Sequence, residues 1–262
     1  MIISYSLFDN NQFVDNKIDI NYDKIASNSL KLINSNIKFS NVSFDRFLKK
    51  TDKYNSMISY LMKNYYANKY KGNIHLGLHN KPIILDDNKK DSVYINITHT
   101  DGICLGIETL SNHIGIDVER KNNSMGSIKS CFLENEPITI KQWTKKEAYV
   151  KMTGIGISDL ENFKIIDNKV WEKDDELDHN IISFSVKLNG FDYIISICGN
   201  WNNDETIIFE EFTLDSNKKI LFEIIHKDNP NYTNYTNLID EYESEFYSIK
   251  LDNSDYKIRC IL

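Results

Sequence analysis

The stretch His113–Glu119, HIGIDVE, places two carboxylates two residues apart. In an extended strand alternate side chains share a face. Gly115, Asp117 and Glu119 therefore point one way, and Ile114, Ile116 and Val118 the other. Carboxylates this close repel and raise each other's pKa unless a cation lies between them. Their hard oxygen donors suit Mg²⁺, and Gly115 would let a ligand come close to the backbone. Read alone, such a pair is more often the wet side of an edge strand.

A second cluster is WTKKEAYVK. On a helix Trp143, Glu147, Val150 and Lys151 fall at i, i+4, i+7 and i+8, a single face. A glutamate inside an apolar stripe is costly if buried without a partner, and it makes sense as a metal ligand or a base. Lys151, one turn later, could reach the same anion. The plain alternative is a surface Glu–Lys pair worth about 0.3–0.5 kcal/mol. A third cluster, NITHTDG, sets His99 between Thr98 and Thr100 just before a tight turn, where it could donate to phosphate oxygens or serve as a structural histidine. The remaining histidines, at 75, 79, 113, 179 and 226, form no H-x-x-x-H pair.

Each cluster needs an element to hold it. Val93–Thr100 alternates as a strand. Asp101-Gly102 signals a hairpin, with Ile103–Glu108 returning. His113–Glu119 reads as a further strand, followed by a short polar linker and a helix over Ile140–Thr153 that Gly154 and Gly156 close. A second hairpin spans Ile181–Gly199, turning at Asn189-Gly190. Ahead of these lie a strand at Ile2–Leu7 and a helix at Ser56–Tyr70, with Ile58, Leu61, Met62, Tyr65 and Tyr66 in helical register and Gly72 at the C-cap position. The order strand, helix, hairpin occurs twice. The reading is an N-terminal half over 1–110, a C-terminal half over 111–215 and an extension over 216–262, in which Ile220–Ile225 is apolar enough to pack.

Bulk properties exclude several classes. The 262 residues are 41% hydrophobic and 26% charged, as in an ordinary soluble globular protein. A net charge of −7 argues against a dedicated nucleic-acid binder. No run of about 18 apolar residues suggests a membrane span, and the opening residues do not read as a secretion signal. The four scattered cysteines show no CxxC spacing, so reduced thiols and a cytoplasmic location are expected.

Taken together, the clusters resemble the surfactin-type family of 4′-phosphopantetheinyl transferases. Its G-x-D-x-E stands as Gly115, Asp117 and Glu119. Its W-x-x-K-E-x-x-x-K stands as Trp143, Lys146, Glu147 and Lys151, and its S-H-S as Thr98-His99-Thr100. A turn ending in lysine and proline stands as Asn80-Lys81-Pro82. The resemblance covers roughly residues 40–210. It implies an α+β fold of two pseudo-symmetric α/β halves, each a small antiparallel sheet on a long helix, with the active site in the cleft between them. It further implies that Asp117, Glu119 and Glu147 hold Mg²⁺, that Lys81, Thr98, His99 and Lys151 contact coenzyme A, and that Glu147, with Lys151, is catalytic. The expected partner is an acyl or peptidyl carrier protein, served by a monomer. Asn55 stands where the family has an arginine for the 3′-phosphate, with Arg46, Lys50 and Lys53 nearby. A non-catalytic relative that binds coenzyme A or a carrier protein is the alternative.

Overall fold

Alternating side chains build two sheets in the computed structural model, which describes residues 1–7, 59, 62, 63, 65–67, 69–76, 81–85, 92–110, 113–133, 136–188, 190–211, 219–244 and 247–261. Arg46, Lys50, Lys53 and Asn55 lie outside the described residues, as does Asn80.

In the first sheet β4 (Ser92–Thr100) and β5 (Ile103–Thr109) pair across the Asp101-Gly102 turn, where Gly102 takes φ 86°. Next to β5 lies β1 (Ile2–Leu7), antiparallel to it and parallel to β11 (Ile207–Glu211). The sheet continues through β12 (Lys219–His226) to β15 (Tyr256–Cys260). On its other side β3 (Pro82–Leu85) and β2 (Asn73–Leu76) complete eight strands. The second sheet runs β6 (Ile114–Arg120), β10 (Phe191–Gly199), β9 (Asp175–Leu188), β14 (Tyr247–Leu251) and β13 (Glu241–Glu243). A hairpin of β7 (Phe163–Ile166) and β8 (Lys169–Glu172) joins β9, turning through Asp167 and Asn168 at φ 48° and 65°. Positive φ at both turn residues matches the right-handed strand twist.

The inner faces meet in one apolar core. Ile3, Leu105, Ile107, Phe209 and Phe222 come from the first sheet, and Ile116, Val118, Phe184, Val186 and Ile195 from the second. Phe209 stacks on Phe222 at 5 Å or less (4.7 Å between centroids), and Phe184 meets both edge-on, geometries that ring quadrupoles favour. The outer face of the first sheet packs Ile84, Val93, Ile95 and Cys104 against Met62 and Tyr66 of a helical stretch, α1, whose described residues are 59, 62, 63, 65–67 and 69. Lys71, at φ 48°, takes the left-handed position after α1, one residue before the glycine expected to cap it.

Helix α2 (Ile140–Thr153) has the bounds read from the sequence. Thr139 caps its start by accepting from the Gln142 N–H at 3.1 Å, and Gly154, at φ 79°, closes it. The helix lies on β6 and β10, and at Gly115 the two backbones touch. A Cβ there would stand 2.0 Å from the Ala148 carbonyl oxygen and 2.4 Å from the Met152 nitrogen. The absence of a side chain at Gly115 thus admits the helix, not a ligand as the sequence suggested.

The expected architecture of two α/β halves, each a small sheet on a long helix, is not what forms. The described residues are mainly β, and the two sheets pack on each other. The reason lies in the C-terminal residues. After 207 the chain adds β11, β12 and β15 to the first sheet and β13 and β14 to the second. These strands are three to eight residues long and carry little periodic signal each, yet Phe222, Ile224, Ile249 and Ile258 are core residues. No helix among the described residues is long and apolar enough to cross a membrane.

Candidate active site

The antiparallel register of β6 on β10, with α2 laid across Gly115, brings Asp117 under Lys151. Thr98, on the face of β4 turned toward β6, donates to Asp117 Oδ1 at 3.0 Å. Lys151 Nζ donates to the same oxygen at 2.6 Å and to Thr98 Oγ1 at 2.9 Å. Asp117 Oδ2 is buried with no hydrogen-bond partner among the described residues. Two residues along β6, Glu119 Oε2 accepts from Thr100 Oγ1 at 3.0 Å and from Asn123 Nδ2 at 2.6 Å. Glu147, one turn before Lys151 on α2, has its Oε2 4.0 Å from Lys151 Nζ and a side chain only 12% exposed.

The electrostatics follow from this crowding. Burial pushes the Glu147 carboxyl up to about 7; Asp117 and Glu119 push the same way, and Lys151 opposes them. Burial, aided by Asp117, also raises Glu119, against the hydrogen bonds from Thr100 and Asn123. For Lys151 burial disfavours the ammonium, but Asp117 and Glu147 outweigh it and hold its pKa above the usual lysine value. One ammonium therefore serves three acidic side chains.

Two expected phosphate contacts sit elsewhere. His99 pairs with Cys104 in the strand register and shares its face of β4, the face turned toward α1 and away from Asp117. Lys81 Nζ donates to the main-chain oxygens of Met152 and of Ile114, the latter at 3.4 Å. Burial lowers its pKa to about 8. There it satisfies a carbonyl at the C-terminal end of α2, where a cation is favoured.

Asn123 and Thr100 were not expected as partners of Glu119. The signal for Asn123 was its place in the turn after β6, where the Asn123 N–H bonds the Arg120 carbonyl at 3.0 Å and aims the side chain back at the strand. Asn96 adds a further tie, accepting from the Ile116 N–H at 3.2 Å.

Asp117, Glu119 and Glu147 form an all-oxygen donor set of the kind Mg²⁺ takes, and Asp117 Oδ2 has an uncommitted lone-pair side. In these respects the residues fit the ion. Among the described residues no three His, Cys, Asp or Glu side chains already surround a point a metal could occupy. The carboxylates are gathered around an ammonium instead.

Over 101 residues the chain is 30% identical to the 4′-phosphopantetheinyl transferase HetI of Nostoc sp.. The matched stretch is 32% of this chain and 43% of HetI, so the chain spans less than half the length of this curated relative. No protein-family profile matches the chain. The similarity to HetI supports the phosphopantetheinyl transferase family and does not single out its surfactin-type branch.

Proposed function

We propose that this chain is a Mg²⁺-dependent 4′-phosphopantetheinyl transferase, which moves the phosphopantetheine arm of coenzyme A to a serine of an acyl or peptidyl carrier protein. The observation that carries this reading is the set Asp117, Glu119, Glu147 and Lys151, drawn from one strand and one helix and linked by hydrogen bonds and charge. The similarity to a transferase of that name supports it.

Asp117, Glu119 and Glu147 would hold the ion, which when bound neutralises charge on the pyrophosphate. Lys151 donates to phosphate oxygens, and Thr98 keeps its ammonium in place. Glu147 accepts the proton of the carrier serine directly or through a water. The serine oxygen forms a bond to the β-phosphorus. The bond from that phosphorus to the bridging oxygen breaks, and 3′,5′-ADP leaves with the electron pair. Positioning and charge stabilisation are what such a transfer requires. His99, on the α1 side, remains a candidate for the phosphate farther from the reacting centre, and Lys81 for a contact near the end of α2.

Incubating the chain with Mg²⁺, coenzyme A and several apo carrier proteins tests the reading by mass spectrometry. The expected result is one added phosphopantetheine on a carrier serine, lost in Glu147→Gln. Binding of coenzyme A with no carrier modified would favour the non-catalytic alternative.

A further inference from the structure

Lys146 lies next to Glu147 on α2, and its side chain is wholly buried, pointing about 100° round the helix from that of Glu147. Its ammonium donates to Glu136 at 2.6 Å, to the Leu160 carbonyl at 3.0 Å and to the Cys131 carbonyl at 3.2 Å. The rings of Phe163 and Phe132 flank it at 5.2 and 5.6 Å. Each of its three protons has an acceptor, which is the condition for taking an ammonium out of water. All three acceptors lie outside α2: two in the connection from β6 and one after the helix.

The same connection grips the other arm of the site. Asn123, at its start, donates to Glu119 at 2.6 Å and to Thr100 at 3.4 Å. Glu136, near its end, is held by Lys146. A buried ion pair adds little stability over an apolar pair of equal volume; what it can add is fixed geometry. Successive helical side chains point about 100° apart. Fixing the direction of Lys146 therefore fixes the rotation of α2 and the direction of Glu147.

Resting on the acidic-site reading above, we propose that Lys146 and Glu136 are a positioning pair that sets Glu147 against Asp117 and Glu119, by clamping the β6–α2 connection to the helix. The pair touches no reacting group and acts through Glu147.

The test measures Mn²⁺ affinity of the full chain by titration calorimetry, with thermal melts of every variant. Glu136→Gln removes charge at constant shape. The double variant Glu136→Leu with Lys146→Met replaces the pair by apolar volume. Val170→Ala is a control that loosens the neighbouring core without touching the clamp. The expected result is an affinity about tenfold lower in Glu136→Gln and in the folded double variant, the size of loss typical of partners that orient a metal ligand. Val170→Ala should bind like the parent. Parental affinity in Glu136→Gln, or an equal loss in Val170→Ala, overturns the inference. A parent protein that binds no Mn²⁺ overturns the acidic-site reading itself, and the inference with it.

Discussion

Lys151 donates to Asp117 Oδ1 at 2.6 Å, while Oδ2 of the same buried carboxylate has no hydrogen-bond partner among the described residues. Glu147 lies 4.0 Å from the same ammonium. The lysine thus neutralises acidic groups that would otherwise repel one another.

Removing that cation should cost stability, and a divalent ion should restore it. Breaking a buried pair costs roughly 3–5 kcal/mol. Lys151 is 27% exposed, so Lys151→Met is expected to lose about 1–3 kcal/mol at pH 8 after allowance for solvent screening. Thermal melts with and without millimolar Mg²⁺ check this: the ion should raise the melting temperature of the variant more than that of the parent. Equal shifts in both proteins would count against a shared site.

Glu147 gives a pH signature of definite sign. Its folded pKa, about 7, lies above the ordinary glutamate value of 4.5, so the folded state holds the proton more tightly than the unfolded chain. The stability this confers is fully present below about pH 4.5 and is lost as pH rises through about 7. The whole span is worth about 3 kcal/mol. Glu147→Gln cannot ionise. Relative to the parent it should gain stability between pH 5 and pH 8 in metal-free buffer, measured by urea unfolding at both values. A constant difference across that range would mean that Glu147 stays charged in the fold.

Much of the site was legible because its signals are local. The alternation through Ile114–Glu119 put both carboxylates on one face, and the spacing in α2 put Glu147 and Lys151 one turn apart; the structure has both. Thr98 was legible as a neighbour of the site, but not as the donor to Asp117, because that bond depends on where β4 passes β6. His99, between the two threonines in sequence, falls on the opposite face of the strand. The architecture was less legible. Strands such as Tyr247–Leu251 and Tyr256–Cys260 are defined by partners far away in sequence, and short strands carry almost no periodicity of their own.

Gly115 offers a sharp packing test. With a Cβ 2.0 Å from the Ala148 carbonyl oxygen, Gly115→Ala must push α2 off β6. Overpacking of this kind costs about 1–3 kcal/mol, and backbone atoms have the least freedom to give way, so a loss near about 3 kcal/mol is expected. Gly126→Ala is the control, because its nearest neighbour would be Ser124 Oγ at 3.8 Å. Urea midpoints should fall for the first variant and stay within error for the second. A tolerated alanine at 115 would mean that the helix sits farther from the strand.

The residues after Asp215 are expected to serve stability and not the transfer itself. They carry Phe222, Ile224, Ile249 and Ile258 into the shared core, so deleting them should yield an aggregated chain that says nothing about catalysis. A point substitution separates the two roles. Phe222 is wholly buried and stacks on Phe209 at 4.7 Å, and its strand is separated from β4 by β11, β1 and β5. Phe222→Ala should therefore lose about 3–5 kcal/mol, the usual range for emptying a phenylalanine site, while folded molecules match the parent in Mn²⁺ affinity and in the rate of the transfer proposed above. The measurement pairs a urea unfolding curve with the rate per folded molecule, taken at a temperature where the variant remains native. A rate that falls while the near-ultraviolet signal of the packed aromatics is unchanged would bring the segment into the catalytic machinery.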